Sequence, residues 1–322
     1  MINNIQILHA FAAINVVLYH IIGTSFSYSQ ATTLFQYMGG WGASGVDVFF
    51  VISGFVMLHS QYLKRKQPFE FFKNRVIRIV PIYWVLTLFI LFLYLMYPSI
   101  FREMLVTPAW ITSSLFFTSS VFSGKQPVVY VGWTLEWEML FYLIFAVGLF
   151  LKSWKSRAAF IVATFTIISV TTQNWIVFEF LFGMLAAYLY HKNAFSKGFG
   201  VVFFLLSAFL FILSLLPSLR DLNLNRVILW GVPAFFMVLG LAISTQLKSF
   251  FLSYLGDASY SIYLAQMLTI PAFYKVSSVL FANWHGDILA LMCLIFSIAF
   301  GCIVHSLIER PITIRLKELA SV

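Results

Sequence analysis

GASGVDVFFVISGFVMLHSQ (42–61) is followed at once by YLKRKQPFEFFKNRVI (62–77). The first stretch is twenty residues of mostly apolar side chains, enough helix to cross a hydrocarbon core. The second carries five Lys and Arg in sixteen residues. An apolar run ending in a basic cluster is how a membrane-spanning helix and its cytoplasmic flank read.

The same grammar recurs along the chain. Apolar runs lie near 5–23, 42–61, 78–97, 133–151, 158–172, 175–191, 199–217, 227–246, 261–281 and 287–308. They predict an all-α, polytopic helical bundle with about ten transmembrane helices, forming one membrane domain over 1–322. The stretch 109–122 is apolar but rich in Ser and Thr, and reads as a re-entrant or surface helix. The run from Ile5 to Ile22 has no Lys or Arg before it and no clear cleavage site after it, so it reads as a retained helix.

Composition agrees. Of 322 residues 61% are hydrophobic and 10% charged, mean hydropathy is +0.93, and Phe occurs 37 times. Soluble domains carry about a quarter charged residues. The net charge of +9 sits in short clusters between apolar runs, so it reads as orientation and not as a nucleic-acid surface. Fifteen of the twenty Lys and Arg fall in alternate loops and the C-terminal tail; Arg102, Lys125, Arg220 and Arg226 fall on the opposite side. Loops 62–77, 152–157, 192–198 and 247–260 are therefore expected in the cytoplasm, together with both termini. Loops 24–41 and 98–132 are expected outside. Cys293 and Cys302 share one apolar run and read as free buried thiols. No internal repeat is visible. A homodimer is compatible with this architecture, and the lipid bilayer is the first partner.

Ionisable groups inside spans are functional candidates by default. Here they are His9, His20, Asp47, Glu138, Glu179, Lys275 and His305. The alternation places His20 near the outer end of the first span. Asp47 and the pair Glu136/Glu138 fall at the same depth in the second and fourth. An imidazole with nearby carboxylates is a base with orienting acids, if the helices are neighbours. Each also has a structural reading: an interfacial histidine, a helix-capping aspartate, an interfacial glutamate. Glu136 and Glu138 point to nearly opposite faces, and periodicity does not choose between them. Arg75 and Arg78, three apart where the third span begins, suit a phosphate clamp, although basic residues there also serve orientation.

Six motifs now stand in order: NIQILHAFAAINVVLYH (4–20), GASGVDVFFVISGFVM (42–57), FFKNRVIRIVPIYW (71–84), GWTLEWEMLFYL (132–143), LGDASYSIYLAQ (255–266) and IERP (308–311). The chain resembles the acyltransferase 3 family of bacterial membrane O-acyltransferases, closest to those that modify exopolysaccharide. The resemblance implies transfer of an acyl group, usually acetyl from acetyl-CoA, to a sugar hydroxyl of an exopolysaccharide, lipid-linked oligosaccharide or other glycan, at the bacterial cytoplasmic membrane and without a metal. It implies that His20, Asp47 and Glu138 are catalytic and that Arg75 and Arg78 bind the donor. The family usually has Arg eleven residues before the histidine, where it helps hold the acyl donor; this chain has His9, about 16 Å along the helix from His20, and His9 is expected in that donor-binding role, weakly or when protonated. Where the family often has His at the end of the fifth motif, this chain has Gln266. Trp133, Tyr260 and Gln266 are the expected substrate contacts; an interfacial tryptophan belt is the simpler reading of Trp133. Two other classes compete: a proton-coupled sugar or glycolipid transporter, which predicts paired repeats and broken helices, and a non-catalytic membrane scaffold.

Overall fold

The computed structural model describes residues 2–38, 40–100, 106–120, 124–216 and 225–320. Among them 81% of the chain is helical and no strand occurs. The main helices are α1 (Asn3–Ser27), α2 (Ser44–Leu63), α3 (Pro68–Met96), α4 (Pro108–Leu115), α5 (Trp133–Gly148), α6 (Trp154–Thr172), α7 (Phe178–His191), α8 (Gly198–Leu213), α9 (Val232–Ile243), α10 (Phe250–Leu280), α11 (Gly286–Val304) and α12 (Arg310–Leu319). Short π-helical turns precede α9 (Val227–Gly231) and join α11 to α12 (His305–Glu309).

Each of the ten expected segments coincides with a helix. Among the described residues five helices are long and apolar enough to cross a membrane: Asn3–Ser27, Trp41–Leu63, Pro68–Met96, Tyr130–Gly148 and the continuous Gly286–Leu319. The others fall short for identifiable reasons. α7 and α8 have 14 and 16 residues, under the ~20 that a straight crossing takes. α10 has 31 but carries Asp257, Gln266, Lys275 and many hydroxyls. The stretch 109–122 forms the eight-residue α4, with Thr107 capping it by accepting from the Trp110 N–H at 3.2 Å. Residues 121 and 122 lie outside the described residues, as do the outer-side charges Arg102 and Arg220.

Helix directions can be read from their contacts. α1 and α10 run parallel: Gln6 lies against Gly256 at one end, and Gln30 bonds Ser277 at the other. α1 and α2 run antiparallel, with Gly45 against Ala12 and Gly42 against Tyr19. α2 and α7 are parallel, pairing Gly54 with Phe180 and His59 with His191.

The core explains the phenylalanine content. The Phe180 ring lies 4.3 Å from Phe141 and 4.6 Å from Phe50, and Phe165 extends the stack from Phe141 at 5.8 Å. The α2–α7 crossing beneath it is glycine-dependent. A Cβ on Gly54 would collide with the Phe180 carbonyl, and one on Gly183 with the Val51 carbonyl. Backbone cannot retreat as a side-chain tip can. Small residues are how helices approach closely in lipid, where packing replaces the hydrophobic drive. Gly54→Ala is expected to destabilise the protein by about 3 kcal/mol through forced separation of α2 and α7. Gly23→Ala, with nothing within 4 Å, is expected to be neutral or mildly stabilising. Thermal unfolding in detergent compares the two.

Candidate functional site

Four helices, α1, α2, α3 and α5, together with α10, enclose a cavity of about 70 Å³, room for a few waters. Five residues singled out from the sequence line it: His9, Arg75, Arg78, Glu138 and Tyr260. They come from α1, α3, α5 and α10, so the fold, and not chain proximity, gathers them.

Glu138 is held from two sides. Ser53 Oγ donates to its Oε1 at 2.5 Å, and Tyr142, one turn further along α5, donates to the same oxygen. Its Oε2 accepts no hydrogen bond among the described residues. The Arg75 guanidinium sits over the Phe71 and Tyr142 rings at 5.6 and 5.8 Å, and its buried Nε has no partner. His9 sets its own tautomer. Its Nδ1 lies 2.9 Å from the Ile5 carbonyl, which can only accept, so Nδ1 carries the proton and Nε2 is the acceptor. Tyr260 donates to the Ile79 carbonyl at 2.8 Å, tying α10 to α3 just beyond Arg78. Behind two of the lining residues, Thr134 and Tyr263, a wall is made by the turn Tyr130–Gly132. Tyr263 Oη bonds the Val131 carbonyl at 2.9 Å and Thr134 Oγ1 at 2.8 Å.

His20 is on the far side of that wall. It lines a separate outward pocket with Tyr19, Gly23, Thr24 and Gln36. The Tyr19 and Tyr130 rings stand edge-on to it at 5.0 and 5.1 Å. The expectation that Asp47 and Glu138 orient its imidazole is not met: neither makes a hydrogen bond or ion pair with it among the described residues. Both acids have other partners. Glu138 serves Ser53 and Tyr142. Asp47, fully buried, takes a two-pronged grip from Arg226, Nε to Oδ1 at 2.9 Å and Nη2 to Oδ2 at 2.7 Å. A planar guanidinium matches a carboxylate in this way. Arg226 Nη2 also reaches the Ala43 carbonyl at 2.9 Å.

The other assignments scatter. Glu136, the alternative to Glu138, accepts the backbone N–H groups of Ser119 and Ser120 and anchors the segment after α4. Trp133 is half-buried and lines neither cavity. Gln266 is fully buried outside the cavity; its Nε2 donates to the Tyr263 carbonyl at 2.7 Å and its Oε1 has no partner. Glu179 is also fully buried, with both oxygens unpartnered, in the neighbourhood of Asp47 and Arg226.

Sequence reasoning missed Ser53, Tyr142, Tyr263 and the pairing of Arg226. Tyr142 had a signal, being four residues from Glu138 on one helical face. Arg226 had none, since its partner is 179 residues away. Removing the guanidinium would strand a buried carboxylate beside Glu179. Arg226→Ala is expected to cost ~3 kcal/mol, the lower end for a buried pair because the Arg226 side chain is one-third exposed. Asp47→Asn combined with Arg226→Ala should recover part of that loss. Thermal melts of the two variants and the unaltered protein in detergent measure both.

The comparisons bear on what this arrangement does. The family model described as acyltransferase domain matches residues 2–307. The exopolysaccharide production protein ExoZ of Rhizobium meliloti (strain 1021) is 30% identical over 290 residues, covering 84% of this chain and 89% of that protein. The O-acetyltransferase OatA of Staphylococcus aureus (strain NCTC 8325 / PS 47) is 28% identical over 194 residues, 55% of this chain and 29% of that protein. Nodulation protein 10 of Rhizobium leguminosarum bv. viciae is 30% identical over 185 residues, 50% of this chain and 48% of that protein. No solved structure matches. A match over nearly the whole chain, on a helical bundle with several membrane-length spans, means that this chain belongs to the acyltransferase 3 family.

Proposed function

We propose that this multi-pass acyltransferase transfers acetyl from acetyl-CoA to a sugar hydroxyl of an exopolysaccharide or its lipid-linked precursor. It would do so in the bacterial cytoplasmic membrane, with about ten crossings and both ends in the cytoplasm. The observation that carries the reading is the cavity that joins Arg75 and Arg78 to Glu138 and His9 beneath the His20 pocket. The helix directions support the topology: spans one and nine run parallel, as do spans two and six, while one and two oppose each other, as strict alternation requires. The relatives support the chemistry. One is named for exopolysaccharide production and another is an O-acetyltransferase.

The donor enters from the basic side. Its phosphates meet Arg75 and Arg78, and its arm passes up the cavity past Glu138. The cavity admits only a few waters as it stands, so donor entry displaces side chains. Arg75 lines the cavity with its Nε unbonded, so it has a donor to offer the incoming group. The acceptor reaches His20 from the outer pocket. His20 takes the proton of the sugar hydroxyl as its oxygen attacks the thioester carbonyl carbon. The carbon–sulfur bond breaks, and the imidazolium returns its proton to the departing thiolate. Packing between Tyr19 and Tyr130 orients the ring.

His20→Ala is expected to lower the rate by about 10²–10⁴. Glycan mass analysis of cells carrying each form would then show the acetyl increment with the unaltered protein and not with the variant. A folded, membrane-inserted His20→Ala protein that leaves the increment unchanged would refute the mechanism.

A further inference from the structure

We propose that the C-terminal helix α12 completes an anion site at the mouth of the cavity, where Lys317 and Lys66 join Arg75 and Arg78 to hold the nucleotide phosphates of the acyl donor. This rests on the reading that the donor is a coenzyme A thioester.

Three observations carry it. First, α12 lies antiparallel along the start of α3. Lys73 Nζ donates to the Ala320 carbonyl at 2.5 Å. At the other end Glu309 accepts from Ser261 Oγ at 2.6 Å, next to Tyr260, whose hydroxyl bonds the Ile79 carbonyl. Stepping back one turn from Ala320 reaches Lys317. Stepping forward from Lys73 along α3 reaches Arg75 and Arg78. Lys317 accordingly lies within electrostatic reach of Arg78, Arg75 and Lys66. Second, these four cations come from three separate elements: α12, α3 and the loop 64–67. None of them is a partner in the ion pairs that join described residues, which are Arg226–Asp47, His285–Asp287 and His305–Glu309. Glu138 offsets part of the charge at Arg75, and the four like charges still repel one another; an anion of several charges removes that cost. Third, Arg75 and Arg78 line the cavity itself, and the buried Arg75 Nε is an unused donor. The cluster therefore opens into the passage that the donor's arm would follow.

Coenzyme A suits this geometry because its charge is concentrated at one end, in a 3′-phosphate and a pyrophosphate, with a long uncharged arm beyond. Lys317 is exposed, so its replacement leaves packing intact. Unlike Arg75 and Arg78 it does not line the cavity, which assigns it the terminal phosphate.

The test uses the full-length protein in discs of zwitterionic lipid, titrated with coenzyme A, dephospho-coenzyme A and inorganic pyrophosphate. Lys317→Glu is expected to weaken coenzyme A about tenfold or more, the range of a lost charge-assisted contact. Dephospho-coenzyme A should weaken much less, and Lys317→Arg should bind as the unaltered protein does. The salt dependence of coenzyme A binding should flatten in Lys317→Glu. Unchanged coenzyme A affinity in Lys317→Glu overturns the proposal while leaving the donor reading intact. Unaltered protein that binds pyrophosphate through Lys317 but ignores coenzyme A keeps the anion site and sinks the donor reading. Recruitment of phosphatidylglycerol, with coenzyme A affinity indifferent to Lys317, assigns the cluster to the membrane surface and also overturns the proposal.

Discussion

Two helix backbones touching at Gly54 and Gly183 hold the rest of the arrangement in place. Because α2 and α7 meet without side chains between them, their relative rotation is set within narrow limits. Ser53, next to Gly54, is thereby turned to Glu138 on α5. One to two turns towards the start of α2, the same contact sets Asp47 against α7 at Glu179. At the far end it sets His59 against His191, with Nδ1 and Nε2 2.9 Å apart. One steric constraint thus fixes one wall of the cavity, the buried acid pair and the opposite end of the interface.

The acid pair shows how much a single cation settles. Asp47 and Glu179 are both fully buried, and burying a carboxylate without a partner is costly. Arg226 meets that cost for Asp47 by a bidentate bond. It also reaches the Ala43 carbonyl and lies 5.0 Å from the Trp230 ring, so it ties the chain before α9 to the start of α2. An aspartate that looks catalytic by depth therefore holds together the scaffold beside the site. The family motif and the geometry are compatible if Asp47 acts on catalysis by keeping α2 in place rather than by touching the reacting atoms.

Hydropathy made the helices legible, because twenty apolar residues have few alternatives in a chain this rich in them. Depth is only partly legible. Glu138 bonds Ser53 and lines the cavity with His9, eleven helical residues and about 16 Å from His20, so the expected common depth of His20, Asp47 and Glu138 does not hold. Azimuth is not legible at all, and each meets different neighbours: a pair of tyrosines, an arginine, and a serine with a tyrosine. His9, Arg75, Arg78, Glu138 and Tyr260 were assigned from motifs to separate roles, and the fold collects them around one space. Trp133 and Gln266 carried motif positions but line neither that cavity nor the His20 pocket. Local spacing contains Tyr142 beside Glu138. No local pattern contains Arg226 beside Asp47, because that choice is made by the packing of α9 against α2.

The division between the two chambers is the feature most closely tied to transfer across a membrane. An open channel from Arg75 to His20 would leak ions and water; a sealed one would keep donor and acceptor apart. The turn Tyr130–Gly132 touches the lining of both chambers, carrying on one side the tyrosine that faces His20 and on the other the carbonyl held by Tyr263. That turn is held by the Tyr263 hydroxyl bond and by the buried side chains of Val129 and Val131, and Gly132 leaves no side chain against Tyr83 behind it. Hydroxyl bonds are exchanged at low net cost when a new polar group arrives. In the proposed reaction the Tyr263 bond to the Val131 carbonyl is the contact that an arriving thioester carbonyl would exchange.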